Sequence, residues 1–163
     1  MMNITPGKAV LKLAIMAIMT AGLSFYLSTA GMSVPTKETT VTGTVPLGSA
    51  RKDVLKAMGK PNSPLVMDFS YKKKNCEILV VFNDTTDMVR SVIVIGNDPK
   101  YSVRGIKGGS SKDEVRKIFG NPEKVVNYKG SGTECWFYPS KNVNFALNGG
   151  KVSSFSVCDE GNK

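Results

Sequence analysis

Few residues in this chain could do catalytic chemistry. It contains no histidine, which removes the side chain most used for general acid–base work and for binding metals. Serine–histidine and cysteine–histidine nucleophile systems are therefore excluded. The three cysteines, Cys76, Cys135 and Cys158, show no CxxC spacing and cannot form a zinc site by themselves. Catalysis would rest on carboxylates or lysine alone, and no paired carboxylates stand out. No catalytic residue, metal site or cofactor is expected, and the chain is read as a non-enzyme. Two other kinds of chemistry are on offer. Lys72, Lys73 and Lys74 form a basic cluster suited to an anionic polymer or lipid surface, or simply to a solvated turn. Leu79, Val81, Ile93 and Ile95 form an aliphatic set suited to another protein.

The rest of the chain has to position these residues. At 163 residues it holds one domain or two very small ones. Its formal net charge is +9, of which Lys8 and Lys12 contribute two, leaving +7 beyond Thr36. Acidic residues are interleaved with the basic ones, so no continuous basic stripe forms and no nucleic-acid partner is expected.

Lys8 and Lys12 precede an uncharged run, Leu13 to Thr36, that is most apolar from Leu13 to Leu27. This pattern marks an export signal over 1–32, either a cleaved peptide ending near Ser28-Thr29-Ala30 or an uncleaved membrane anchor. Positive charge before the run puts that end in the cytoplasm and the remainder outside. The expected location is therefore membrane-anchored with the domain outside the cytoplasm, or secreted. Residues 33–46 are threonine-rich with Pro35, Gly43 and Pro46. They read as a linker, or alternatively as an added edge strand over Thr39–Val45.

Two copies of one pattern follow, 61 positions apart. Gly109 to Pro122 predicts a short helix with Ser111 as its cap, Glu114 completing a capping box, and a Gly120–Pro122 stop. Gly48 to Pro61 repeats it with Ala50 at the cap position and Gly59 and Pro61 as the stop. Val54, Leu55 and Met58 in the first copy, and Val115, Ile118 and Phe119 in the second, supply the predicted buried faces. Strand-like runs come after each helix: Val66–Tyr71, Cys76–Asn83 and Met88–Ile95, then Glu134–Tyr138, Asn142–Leu147 and Lys151–Cys158. Lys124–Tyr128 reads as an extra short strand. The expected fold class is α+β, with two tandem repeats, 47–97 and 98–163. Each is a short helical element packed on an antiparallel sheet of about three strands, the two together forming one domain over 47–160.

Side chains alternate across a strand, so each repeat orients the other. Phe69, Tyr71, Ile78, Val80, Phe82, Val92 and Val94 face the helix in repeat one, as do Trp136, Tyr138, Val143, Phe145, Leu147, Phe155 and Val157 in repeat two. Repeat two then reads as a one-sided sheet, with Phe137, Asn144, Ser154 and Ser156 outward. Repeat one instead puts Leu79, Val81, Ile93 and Ile95 on its outer face. Leaving four aliphatic residues in water is costly, about 1.5–3 kcal/mol for each. Either the protein covers them internally or a partner, or a second copy, does. Parity also puts Cys135 and Cys158 outward and Cys76 inward. In a simple meander the first two sit at opposite ends of the sheet, so free thiols are expected.

The second copy, with Gly109, Ser111, Glu114, Val115, Gly120, Pro122, Trp136, Tyr138 and the Asn148-Gly149-Gly150-Lys151-Val152 hairpin, resembles the SmpA/OmlA family. The pair of copies is similar to the tandem-repeat fold of the beta-lactamase inhibitor proteins. Repeat one matches more loosely, and no lipobox cysteine is present. The resemblance implies an envelope protein that binds other proteins without catalysis. In the inhibitor proteins the open sheet faces grip an enzyme, which would make Leu79, Val81, Ile93, Ile95 and Phe137 partner contacts. The expected function is an extracytoplasmic protein–protein interaction module. The alternatives are a binder of anionic envelope polymer or lipid, and an inhibitor of an extracellular enzyme.

Overall fold

Runs of valine, isoleucine and aromatic residues broken by glycine- and asparagine-rich turns make strands, and eight of them form among the described residues. The computed structural model describes residues 37–64 and 67–159. The export segment at 1–32 and the first residues of the expected linker lie outside them, as does Val66. In chain order the elements are α1 (Arg51–Met58), β1 (Ser63–Pro64), β2 (Asp68–Lys72), β3 (Cys76–Phe82), β4 (Val89–Gly96), α2 (Lys112–Phe119), β5 (Lys124–Tyr128), β6 (Thr133–Tyr138), a 3-10 turn (Pro139–Lys141), β7 (Val143–Asn148) and β8 (Lys151–Cys158).

All eight strands belong to one antiparallel sheet, in the order β1-β2-β3-β4-β8-β7-β6-β5. This overturns the expectation of two helix-on-sheet repeats of about three strands each. Among the described residues the protein is mostly β, an open eight-stranded antiparallel sheet with two short helices. The pairing of β4 with β8 makes the difference, running from Ser91↔Cys158 to Ile95↔Ser154. Two separate sheets would each expose the backbone edge of an eight-residue strand, and joining them removes both edges. Each half also gains a fourth strand, β1 or β5, at the outer end of the sheet.

One face of the sheet carries the contiguous core. Phe69, Tyr71, Ile78, Val80 and Phe82 meet Val92, Val94, Trp136, Tyr138, Phe145, Phe155 and Val157 there, under Val54 of α1 and Val115 and Phe119 of α2. Phe119 packs at 5.6 Å from the Tyr138 ring and 5.1 Å from the Phe145 ring. Each helix is only eight residues long and covers a narrow strip. Leu55 and Ile118, expected in the buried faces, therefore lie at the helix flanks, 41% and 43% exposed. Val41 and Val45, in the stretch read as a linker or edge strand, are buried in this core. Only isolated bridges, Thr40↔Pro46 and Thr42↔Ser102, form there.

Local chemistry explains the boundaries. Ser111 accepts from the Glu114 amide and the Glu114 carboxylate accepts from the Ser111 amide, so the capping box forms. Ala50 gives α1 no such cap. The β7–β8 hairpin turns on Gly149 (φ 57°) and Gly150 (φ 76°), a left-handed pair that glycine adopts without strain. Gly108 is demanded by space, because a Cβ there would collide with the Gly96 carbonyl oxygen where the 97–110 loop crosses the end of β4. Among the described residues no helix is long and apolar enough to cross a membrane.

Candidate functional site

The face opposite the helices presents every other residue of each strand. Register aligns these residues into rows about 4.8 Å apart from strand to strand. Val81 lies between Asp68 and Ser91, and Ser91 is in turn opposite Cys158. The next row runs Ser70, Leu79, Ile93, Ser156, Asn144, Phe137. A third runs Lys72, Glu77, Ile95, Ser154, Ala146, Cys135.

Leu79, Val81, Ile93 and Ile95 thus come together on two adjacent strands, Leu79 directly opposite Ile93. Val81 and Ile95 are half-buried. Leu79 and Ile93 are 9% and 2% exposed, yet neither belongs to the contiguous core on the helix side. Phe137 shares the face and is buried, but β8 and β7 separate it from the four aliphatic residues. Lys72 ends β2, and Lys73 and Lys74 occupy the hairpin turn to β3, all exposed. That hairpin is closed by the Lys73 amide donating to the Cys76 carbonyl at 2.8 Å.

The polar residues of this face were not foreseen as part of a site. Asp68, Ser70, Ser91, Thr133, Asn144, Ser154 and Ser156 are all buried. Among the described residues, five buried side-chain atoms have no hydrogen-bond partner: Asp68 Oδ1, Ser91 Oγ, Thr133 Oγ1, Asn144 Oδ1 and Ser156 Oγ. All five lie on this face, and none is on the helix side. Ser91, Ser156 and Asn144 sit on the adjacent central strands β4, β8 and β7, beside Cys158, whose Sγ accepts from Asn144 Nδ2 at 3.2 Å. Small residues thus make a polar floor, with the aliphatic patch on one side and Ala146, Cys135 and Phe137 on the other. The sequence did hold a signal for it, since Ser154 and Ser156 are successive outward positions on one strand. A serine facing outward looks the same whether its surroundings are wet or dry.

Electrostatics bear this out at the margins. Burial pushes the Asp68 carboxyl above the ordinary aspartate range, and the neighbouring Glu77 charge adds to the shift. Glu77 itself accepts from Ser70 Oγ at 2.8 Å. Burial alone pushes the Cys135 thiol up to about 11, so it stays protonated and unreactive near neutral pH. No disulfide joins the three cysteines. Cys135 and Cys158 are separated by a whole strand and offset along it, well beyond the roughly 7 Å that a disulfide spans. The Ser91 and Ser156 hydroxyls have no base bonded to them that could activate a nucleophile. Among the described residues no three histidine, cysteine, aspartate or glutamate side chains gather in a way that could hold a metal ion.

No protein-family model matches the chain, and no curated protein matches it. Among solved structures it is similar to a DUF4309 family protein from Bacillus subtilis, at 14% identity over 69% of this chain and 79% of that one, with a TM-score of 0.51. It is also similar to a cysteine-rich secretory protein from Staphylococcus aureus, at 17% identity and a TM-score of 0.50. That match covers 70% of this chain but only 44% of the staphylococcal one. Neither is an SmpA/OmlA or beta-lactamase inhibitor protein. At these identities the likeness is one of fold.

Proposed function

We propose that this protein is a non-enzymatic extracytoplasmic interaction module that binds another polypeptide of the cell envelope on the face of its sheet opposite the helices. The observation that carries the proposal is the aliphatic patch outside the core, where Val81 and Ile95 are only half-buried and keep apolar surface for a partner. Apolar side chains of a polypeptide can pack on that patch, whereas an anionic polymer offers it nothing apolar. Lys72, Lys73 and Lys74, which would serve such a polymer, lie in a solvated turn. An extracellular enzyme inhibited by this face is one form that a polypeptide partner could take. The Lys8–Lys12 and Leu13–Leu27 pattern supports export, and one neighbour in fold is described as secretory.

A photoreactive amino acid at Val81 or Ile95 tests this in living cells. The expected result is a protease-sensitive adduct from both positions and none from the same residue at Lys56 on α1. Adducts resistant to protease, or equal yields from both faces, would overturn the proposal.

A further inference from the structure

The sheet ends in two unlike edges. At one end β1 is two residues long, and its Pro64 has no N–H to donate. At the other end β5 runs for five residues, Lys124-Val125-Val126-Asn127-Tyr128, without proline or glycine. Val125, Val126 and Tyr128 favour strands. Its inner side is laddered to β6 from Lys124↔Phe137 to Tyr128↔Thr133. On its other side no described residue pairs with it. Exposed edges are ordinarily blunted by short length, proline, bulges or charged side chains, lysine especially. β5 has no proline or bulge, its single charge is Lys124 at its first residue, and Val125 on it is 45% exposed.

We propose that β5 is a homodimerisation edge, pairing antiparallel with β5 of a second copy about a two-fold axis through Val126. Three registers about the middle of the strand keep like faces together, centred on Val125, Val126 or Asn127. Only the Val126 register sets Glu123 opposite Lys129 at both ends, with Lys124 opposite Tyr128 and Val125 opposite Asn127. Glu123 accepts from the Ser140 hydroxyl and amide, and a carboxylate has further lone pairs for a lysine across the axis. The resulting sheet continues through both copies. Their helices lie on one side and their partner-binding faces lie side by side on the other. This inference does not depend on what those faces bind.

The register predicts its own cross-link. Residues directly opposite across an antiparallel pair have Cα atoms about 4.5–5.5 Å apart, within disulfide reach. In the full-length chain, Val126→Cys is expected to give an intermolecular disulfide dimer on mild oxidation, and Val125→Cys is not. By sedimentation of the full chain in detergent, Lys129→Glu is expected to weaken self-association about tenfold, and Glu123→Lys combined with Lys129→Glu to restore it. A chain that stays monomeric across micromolar concentrations would overturn the proposal. So would equal cross-linking at 125 and 126, or a folded double variant without recovery.

Discussion

The two halves of the sheet, β1–β4 with α1 and β5–β8 with α2, solve the same inner problem alike and the outer problem differently. On the inner side, Tyr71 donates its hydroxyl to the Gly59 carbonyl at 3.1 Å, and Tyr138 donates to the Gly120 carbonyl at 3.0 Å. Each tyrosine thereby ties a strand to the end of its helix. Gly59 and Gly120 take nearly the same φ, 80° and 79°. Arg51 lies 3.9 Å over the Phe82 ring in one half, and Arg116 lies 4.8 Å over the Trp136 ring in the other. On the outer side the first half presents Leu79, Val81, Ile93 and Ile95, and the second presents Asn144, Ala146, Ser154 and Ser156. The inner face must pack a helix against a strand in both halves, so one set of devices serves twice. The outer face has no such duty, and its two halves are free to make an apolar bank and a polar floor.

The sharpest way to break this comparison is to cut the inner face in each half. Phe82→Ala and Phe145→Ala should each lower stability by about 3–5 kcal/mol in urea unfolding, because each leaves a cavity under a helix. If only one half responds, the inner faces are not equivalent. The outer face should respond with the opposite sign. Ser156→Ala removes an unpartnered buried hydroxyl and should raise the stability of the isolated protein by about 1–2 kcal/mol. A loss of similar size would show that the hydroxyl is already satisfied. The helix caps are a smaller asymmetry. Ser111→Ala should cost about 1 kcal/mol, and Ala50→Ser should gain less than that, both read as shifts in thermal midpoint.

The smallest effect expected is electrostatic. The folded-state pKa of Asp68 is raised, so the folded protein favours its protonated form. Its contribution to stability is greatest below the unfolded-state value and is lost as pH rises through the folded-state value. Asp68→Asn should therefore raise the melting temperature slightly at neutral pH, with the gain closing below the ordinary aspartate range. A gain that persists in acid would point to packing instead of charge.

Much of the fold was legible because it is set by local chemistry. The predicted strands Lys124–Tyr128 and Lys151–Cys158 match β5 and β8, and the others fall within a residue or two of the observed bounds. β1 went unseen, since two residues ending in proline carry no strand pattern. Ile118 was misplaced because helical periodicity alone does not show how narrow a strip an eight-residue helix covers. That the four aliphatic residues of the candidate site share one face could be read from alternation. The site's polar half, at Asp68, Ser91, Thr133, Asn144 and Ser156, could not, because outward polar residues normally lie in water.

The amino-acid sequence by itself determined the strands, the two helices with their glycine stops, the capping box and the side of the sheet on which each residue falls. These depend on backbone preference, alternation and hydrogen bonds spanning a few positions. Only the tertiary structure decided that β4 joins β8, and so that the two halves share one sheet. The paired residues, such as Ser91 and Cys158, are far apart along the chain, and nothing local encodes their register. The same long-range pairing set the apolar bank beside the polar floor, with five buried atoms among the described residues left unpartnered. Parity assigns a residue to a face, but burial depends on what the remainder of the molecule brings there.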